Sequence, residues 1–239
     1  MLNVVRRMPR YALVTGMLFV VLILAYSTIY VIEKPGGIAD WRLSKAMGLT
    51  ETLRIPLERT SEEAIRQFRG SSIEETYKII YQKPVHEGVL QFSKQRLFQG
   101  GTDLKVDMAR KSWLGWKWAS GGGYAIGGTK MDASSDSALS YMMMPIRLEK
   151  PRGTFLLFGE IGDTSITHIV VKGDETGARE YEAEIVKTDE GYVVWYIVLP
   201  ASVSVPFELQ AYTDQNDLRA TLMITNEREN GSIGRSSIH

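Results

Sequence analysis

The chain offers little for nucleophilic catalysis. It contains no cysteine and three histidines, His86, His168 and His239. A nucleophile needs a base beside it, yet His86 falls in a predicted turn, His239 is terminal, and His168 lies in an apolar strand that predicts a half-buried structural role. Neither a Gly-x-Ser-x-Gly nor a His-Glu-x-x-His sequence occurs. The sequence therefore predicts no active site that uses a nucleophilic side chain.

Metal ligands are equally sparse. Two loops gather oxygen ligands, Asp132–Asp136 and Thr213–Asp217, but neither has the full calcium-loop pattern, and aspartate and asparagine are ordinary turn formers. The lack of cysteine removes thiolate zinc sites. We therefore expect no metal and no cofactor. Carboxylates for glycoside hydrolysis need only meet in space, so a cell-envelope hydrolase that uses a carboxylate pair stays open as an alternative function.

Residues 113–124 have the most unusual local composition, Trp-Leu-Gly-Trp-Lys-Trp-Ala-Ser-Gly-Gly-Gly-Tyr, with three of the five tryptophans. No Gly-Lys-Ser/Thr ending and no helix pattern follow, so a phosphate loop is not indicated. Two interpretations stay open. The rings could stack on a sugar or another planar or apolar ligand, or the tryptophans could fill a core at a strand end while the glycines form a flexible hairpin or linker. In the first case, the residues that contact a ligand or partner are Trp113, Trp116, Trp118 and Tyr124.

Composition narrows the class of protein. The 239 residues include 28 basic and 28 acidic side chains, and this balance argues against a nucleic-acid partner, whose phosphates attract a basic face. Hydrophobic residues make up 44% of the chain, which disfavours intrinsic disorder. A chain of this length forms one or two domains, since a typical domain takes roughly 100 to 150 residues.

The first structural element that the sequence predicts is an N-terminal apolar segment. Residues 12–32 carry no charge, and as a helix these roughly 21 residues span about 31 Å, the hydrocarbon thickness of a bilayer. Three arginines precede the segment, Arg6, Arg7 and Arg10, and a Pro-Gly-Gly turn follows it. Under the positive-inside rule, residues 1–34 form a cytoplasmic tip and a single-pass transmembrane anchor, with the remaining chain outside the cytoplasm. The predicted location is the cell membrane.

Two alternatives compete with an uncleaved signal anchor. A buried core helix is disfavoured because apolar side chains surround the segment on all sides. A cleaved signal peptide could end after Ser27, where Ala25 and Ser27 are small. Against cleavage, apolar residues continue from 29 to 32, beyond the roughly 7 to 15 residues of a usual signal core. One small-xxx-small pair, Ala12 and Gly16, is a weak cue for a regulatory partner that signals through its anchor helix.

Residues 35–59 form a juxtamembrane segment without a clear pattern, and residues 60–137 predict a small α+β domain. Thr60 and Glu63 form a capping box that starts a helix, and Gly70 ends it. Turn residues between three following strands favour an antiparallel meander packed on that helix. The three strands are Glu75–Gln82, Val89–Lys94 and Asp103–Arg110.

Residues 138–226 predict an all-β domain. Seven candidate strands, with turn residues roughly every 8 to 13 positions, indicate an Ig-like sandwich. Tyr192–Leu199 is apolar on both faces, as expected of a central strand with Trp195 in the core. Residues 227–239 are polar and predict a flexible tail. The seven strands are Tyr141–Leu148, Thr154–Ile161, Ile166–Lys172, Arg179–Thr188, Tyr192–Leu199, Phe207–Thr213 and Leu218–Thr225.

The predicted fold class is therefore α+β, with an N-terminal transmembrane helix, a small domain of one helix and an antiparallel meander, and a C-terminal Ig-like all-β sandwich.

Three segments carry a resemblance to a known group. The Leu-Gly-Trp-Lys-Trp segment with its trailing glycines, Phe158–Ile161 followed by Ile166–Val171, and Val194–Tyr196 resemble small membrane-anchored or lipid-anchored extracytoplasmic proteins of Gram-positive bacteria (Firmicutes). The likeness covers much of residues 60–215 and implies an extracytoplasmic location and a two-part fold. No activity is established for that group, so the resemblance implies no catalytic residue. The lipid-anchor cysteine of some members is absent here, and the helix would hold the protein instead.

The anchor, the sandwich and the missing catalytic constellation together favour a non-catalytic recognition, interaction or sensing module at the cell envelope. The expected partners are the membrane, through residues 12–32, and an envelope protein or polysaccharide.

Overall fold

The computed structural model describes residues 10–70, 76–95, 102–126, 137–146, 154–173, 179–200 and 202–234. Within them the chain forms three helices and thirteen strands. The helices are α1 Arg10–Glu33, α2 Ile38–Ala46 and α3 Ser61–Arg69. The strands are β1 Tyr77–Val85, β2 Gly88–Gln95, β3 Thr102–Ser112, β4 Gly115–Ile126, β5 Ser137–Pro145, β6 Phe155–Glu160, β7 Ile166–Gly173, β8 Glu180–Glu182, β9 Glu184–Lys187, β10 Val193–Leu199, β11 Phe207–Thr213, β12 Leu218–Ile224 and β13 Asn230–Gly234.

Helix α1 corresponds to the predicted apolar segment. Its 24 residues extend about 36 Å, and in the described part of the chain it is the one helix long and apolar enough to cross a membrane. Its apolar stretch is not buried against the body of the protein. A helix that is apolar all round and uncovered by protein is suited to lipid. Arg6 and Arg7, on which the predicted orientation depends, lie outside the described residues.

Helix α2 lies in the juxtamembrane segment, for which no clear pattern was found. It follows Gly37 and has Asp40 in its first turn. Ser44 Oγ donates to the Asp40 carbonyl oxygen at 2.7 Å and accepts the Leu53 N–H at 2.8 Å. The buried residues of α2 are Asp40 and Ser44. Because this buried face is polar, the sequence lacks the apolar periodicity that would indicate a helix.

Helix α3 and the first sheet confirm the predicted helix packed on an antiparallel meander. Thr60 Oγ1 accepts the Glu63 N–H at 3.2 Å, and Gly70, with φ of +90°, follows the last turn. Ala64 and Ile65 are the buried residues of α3. The sheet has the order β1-β2-β3-β4, and all its pairs are antiparallel. We call it sheet 1; its fourth strand, β4, was not predicted.

The remaining strands form two further antiparallel sheets. Sheet 2 has the order β13-β5-β6-β10-β9, and sheet 3 has the order β12-β11-β7-β8. Buried residues of both sheets form one core, in which Trp195 is fully buried and donates from Nε1 to the Ser140 carbonyl oxygen at 3.1 Å. The predicted role of Trp195 as a core residue is confirmed, and the body of the protein is sandwich-like.

Sheet 2 is covered on both faces. Its second face carries Phe158, Val194 and Tyr196, which share a core with Phe92 and Val106 of sheet 1. The three sheets therefore stack as three layers, with α3 on the outer face of sheet 1. The predicted boundary near residue 137 separates sheets 1 and 2 along the sequence, but their side chains meet in one apolar cluster. The division into two domains stays a prediction.

Two strand predictions are corrected. The predicted strand Arg179–Thr188 divides at Ala183, with β8 pairing β7 in sheet 3 and β9 pairing β10 in sheet 2. A strand can pass from one sheet to the other at the corner of a sandwich. Its side chains still alternate between inward and outward positions here, since Tyr181, Ala183 and Ile185 all pack against the core.

The second correction concerns the predicted flexible tail. Residues 230–234 form β13, which pairs with β5 and places Ile233 in the core. One buried isoleucine among polar neighbours is too weak a pattern to show a strand in the sequence. Residues 235–239 lie outside the described residues.

Candidate functional site

The four aromatic residues singled out by the sequence occupy three different environments. Trp116 and Trp118 lie on the face of β4 that carries α3, where Trp116 is half-buried and Trp118 is 4% exposed. Tyr124 lies on the other face, in the core shared with sheet 2, with its hydroxyl 2.6 Å from Ser140 Oγ. Trp113 stands at the tip of the β3–β4 hairpin and is 91% exposed. The structure thus brings two of the four residues together.

The glycines after the tryptophans are part of a strand. Residues 121–123 pair with Asp107, Val106 and Lys105 of β3, so the prediction that they form a flexible hairpin or linker is wrong. A Cβ atom on Gly121 would lie 2.1 Å from Asp107 Oδ1 and 2.6 Å from Arg69 Nη2. The glycine is required because an ion pair lies directly over the strand. Gly127 and Gly128 lie outside the described residues.

That ion pair joins α3 to sheet 1. Arg69 Nη2 lies 2.7 Å from Asp107 Oδ1, and Trp118 Nε1 donates to the same oxygen at 2.8 Å. The Arg69 guanidinium lies 5.2 Å from the centroid of the Trp118 ring, and Phe68 stacks on that ring with a centroid distance of 3.8 Å. Asp107 is 2% exposed. In sequence it falls on the polar face of an alternating strand, which gave no sign that α3 covers it.

A small cleft opens beside this ion pair. Its volume is about 80 Å³, and charged and polar side chains from α3 and sheet 1 line it. Burial lowers the pKa of Lys105, while the Asp107 carboxylate opposes that shift. Lys105 Nζ also lies 4.8 Å from the centroid of the Tyr77 ring. Pockets for organic ligands are usually about 300 to 1,000 Å³, so this cleft has room for a small ion or a few waters. Its polar lining includes Glu62, Arg66, Arg69, Gln91, Lys105 and Asp107.

A second polar cluster ties the end of α1 to the same sheet. We call the four residues Glu33, Asp40, Arg110 and Lys117 the membrane-proximal clamp. Arg110 forms an ion pair with Glu33, the last residue of α1, and Lys117 Nζ donates to the Glu33 carbonyl oxygen at 2.8 Å. Lys117 Nζ also lies 2.6 Å from Asp40 Oδ1.

The Asp40–Lys117 pair of the clamp is buried although it is charged. Lys117 and Asp40 are each 1% exposed, and Asp40 Oδ2 accepts the Gly36 and Ile55 N–H groups at 2.7 and 3.0 Å. The carboxylate is therefore satisfied by a lysine and two backbone donors, as a buried charge must be. The sequence contained no sign of this arrangement because its members lie far apart along the chain. The clamp fixes the body of the protein to the membrane-spanning candidate.

A third cluster brings two carboxylates together. Lys94 Nζ lies 2.5 Å from Glu160 Oε2 and 3.9 Å from Asp103 Oδ1. Asp103 is buried, and its Oδ2 accepts the Gln95 N–H at 2.6 Å. This is a carboxylate pair of the kind that the hydrolase alternative requires. The Lys94 ammonium lies within ion-pair distance of both carboxylates.

Asp103→Asn is expected to gain stability relative to the unmodified chain as the pH rises from about 4 toward neutrality. Burial, helped by the Glu160 charge and opposed by the Gln95 hydrogen bond and the Lys94 charge, raises the pKa of Asp103 above its ordinary value. Between these two pKa values the folded chain binds more protons than the unfolded chain. The resulting stabilisation is present below the ordinary pKa and is lost as the pH rises through the raised pKa.

Thermal unfolding of both chains in one detergent, followed across this pH range, measures the difference. Asp189→Asn, in an exposed turn, controls for the loss of one surface charge. A difference between Asp103→Asn and the unmodified chain that stays constant, or shrinks as the pH rises, would contradict the prediction.

The histidines lie apart from these clusters. His86 is exposed in the β1–β2 turn, as predicted. His168 is exposed on β7, with Nδ1 2.9 Å from Thr167 Oγ1, so the predicted half-buried position is wrong. Within the described ranges, no group of three or more His, Asp or Glu side chains could hold a metal ion. The Asp132–Asp136 loop and His239 lie outside those ranges.

Comparison of the chain with family models, with curated proteins and with solved structures finds no match. Its function is therefore inferred from the arrangement of its own residues.

Proposed function

We propose that this protein is a single-pass, membrane-anchored extracytoplasmic module that recognises a partner at the cell envelope and catalyses no reaction. The clamp is the observation that carries the proposal. A body on a flexible tether can rotate freely, whereas the ion pair to Glu33 and the buried ion pair to Asp40 hold this body at one height and orientation above α1. A fixed surface suits recognition of an envelope protein or polysaccharide at a defined distance from the membrane.

The proposed topology has the N-terminus in the cytoplasm and the body outside. Its support is the cluster of arginines before the apolar segment, since positive charge is retained on the cytoplasmic side. The segment would remain as an uncleaved signal anchor in the cell membrane. Membership in the Firmicutes group of small anchored extracytoplasmic proteins is part of the same proposal.

The proposal assigns the C-terminal part an Ig-like architecture. Two antiparallel sheets that enclose a fully buried tryptophan support it, because such sandwiches present their loops and edges for recognition. Of the four aromatic residues considered as contacts, Trp113 and Trp116 are accessible to another molecule. Trp118 and Tyr124 are buried, so they stabilise the fold and do not contact a partner directly.

Protease treatment of intact protoplasts that carry a C-terminally tagged chain tests the location. The tag is expected to be digested, and the N-terminus sequenced from the same sample is expected to be Met1 or Leu2. A cytoplasmic protein of the same cells controls for lysis. A protected tag would overturn the topology and the recognition proposal with it. An N-terminus at Thr28 would overturn the anchor, because the chain would then be released.

A further inference from the structure

The tip of the β3–β4 hairpin exposes a tryptophan to solvent. Trp113 is 91% exposed, more than any other large apolar side chain in the described part of the chain. The turn around it is ordered by Ser112 Oγ, which donates to the Gly115 carbonyl oxygen at 2.9 Å and accepts the Leu114 N–H at 3.2 Å. The indole is therefore held outward on a defined turn.

The tip lies next to the end of the membrane-spanning candidate. Arg110 and Lys117, which both contact Glu33, are directly opposite each other in the β3–β4 pairing. At about 3.3 Å per residue, the tip lies within about 10 Å of this pair along the strands. The headgroup region on each side of a bilayer is about 5 to 8 Å thick, so the two distances are comparable.

The direction of the tip follows from the direction of the strands. Beyond Lys117, the rest of β4 runs away from the tip to Ile126 and carries the contacts with α3 and sheet 2. The bulk of the body thus lies on one side of the clamp and the tip on the other. Since the body cannot enter the hydrocarbon with its polar strand edges, the end that meets α1 is the end that faces the bilayer.

Helix α2 exposes a second surface with membrane-interface composition, also close to the end of α1. It begins five residues after Glu33, and it exposes Ile38 at 40% and Trp41 at 50%. Arg42 and Lys45 on α2 are also exposed. Tryptophan beside basic residues is the composition of membrane interfaces, where indoles lie at headgroup level and basic side chains attract anionic lipids.

We propose that the β3–β4 tip and the outer face of α2 lie in the lipid headgroup layer, with Trp113 inserted beside the anchor helix. The partner of this surface is a phospholipid bilayer that contains anionic lipid. The inference rests on the proposed function, because it takes α1 as the membrane span. Continuity with α1 favours lipid over a protein partner, since any body clamped to the end of a spanning helix has the bilayer within reach.

Because the chain contains no cysteine, a spin label attaches only at a cysteine that is introduced. A single cysteine is introduced into the full chain by Trp113→Cys, and in a second variant by Leu114→Cys, which keeps Trp113. Each is spin-labelled and reconstituted into vesicles of phosphatidylcholine and phosphatidylglycerol. Accessibility to oxygen, which concentrates in lipid, is compared with accessibility to a water-soluble nickel chelate.

Two further positions serve as controls. Val21→Cys places a label in α1. Asp189→Cys places one in an exposed turn whose neighbour Glu190 pairs with Lys78 at 2.8 Å, at the end of β1 farthest from the tip. The oxygen-to-nickel ratio at positions 113 and 114 is expected to be several-fold above that at 189 and below that at 21. In vesicles without phosphatidylglycerol, the ratio at 113 is expected to fall but to stay above that at 189, because the clamp holds the tip beside the bilayer whatever the headgroup charge.

The outcomes separate the two proposals. Ratios at 113 and 114 equal to that at 189, with a lipid-exposed label at 21, would overturn the inference and leave the anchor standing. A water-exposed label at 21 would overturn the anchor as well. Labels at 113 and 114 shielded from both reagents would mean that protein covers the tip, which also overturns the inference. Dipolar broadening between labels would identify that protein as a second copy of the chain.

Discussion

Replacing Asp40 with asparagine is expected to lower the free energy of unfolding by about 3 to 5 kcal/mol, because it leaves a buried lysine ammonium without its counter-charge. Lys117 is 1% exposed and lies 2.6 Å from Asp40 Oδ1. Its other partner is a neutral carbonyl oxygen, that of Glu33. Urea unfolding of the full chain in detergent, followed by tryptophan fluorescence, measures the loss.

A double variant and a variant of a surface ion pair show whether the loss of stability comes from the unpaired buried charge. Asp40→Asn combined with Lys117→Met is expected to be more stable than Asp40→Asn alone, because removing both charges removes the unpaired one. Lys172→Met removes a lysine from the exposed pair with Glu180, whose atoms are 3.0 Å apart, and is expected to cost at most about 1 kcal/mol. A loss for Asp40→Asn as small as that for Lys172→Met would show that the clamp contributes nothing beyond a surface ion pair.

Trp118→Ala is the second change with a large expected effect, again a loss of about 3 to 5 kcal/mol. The substitution empties the space between β4 and α3, removes the ring on which Phe68 stacks, and takes one donor from the buried Asp107 carboxylate. The same unfolding measurement tests it. Trp118→Phe, which keeps a ring and loses the N–H donor, is expected to lie between alanine and the native residue.

Trp113→Ala is the matched control, since it removes the same side chain from the exposed tip of the same hairpin. It is expected to change the free energy of unfolding by no more than about 0.5 kcal/mol. Equal losses for the two tryptophans would contradict the assignment of Trp118 to the core and Trp113 to the surface.

Much of the fold could be predicted where local chemistry decides it. The capping box at Thr60 and the glycine at 70 delimit α3 within one residue of the observed helix. Strand β11 is found with the predicted bounds, Phe207–Thr213, because its burial alternates without a break. Strand β10 is apolar on both faces because both faces of sheet 2 are covered.

Other features could not be predicted because distant residues create them. The glycines after Trp118 indicate flexibility in sequence, and only the Arg69–Asp107 ion pair above Gly121 explains why a strand needs them. The clamp joins Glu33 to Arg110 across 77 positions of sequence. Its charged members are unremarkable one by one, and no periodic pattern links them. The candidate sites of this protein therefore depend on tertiary packing that sequence periodicity does not record.

The double coverage of sheet 2 bears on the order in which the chain can fold. Under the proposed topology the residues after α1 are translocated in sequence order, so sheet 1 emerges before any strand of sheet 2 is available to cover its apolar face. Sheet 2 is itself complete only when β13, near the C-terminal end, has paired with β5. Under that topology, completion of sheet 2 waits until β13 has been translocated, and during that interval the uncovered apolar face of sheet 1 is prone to aggregation.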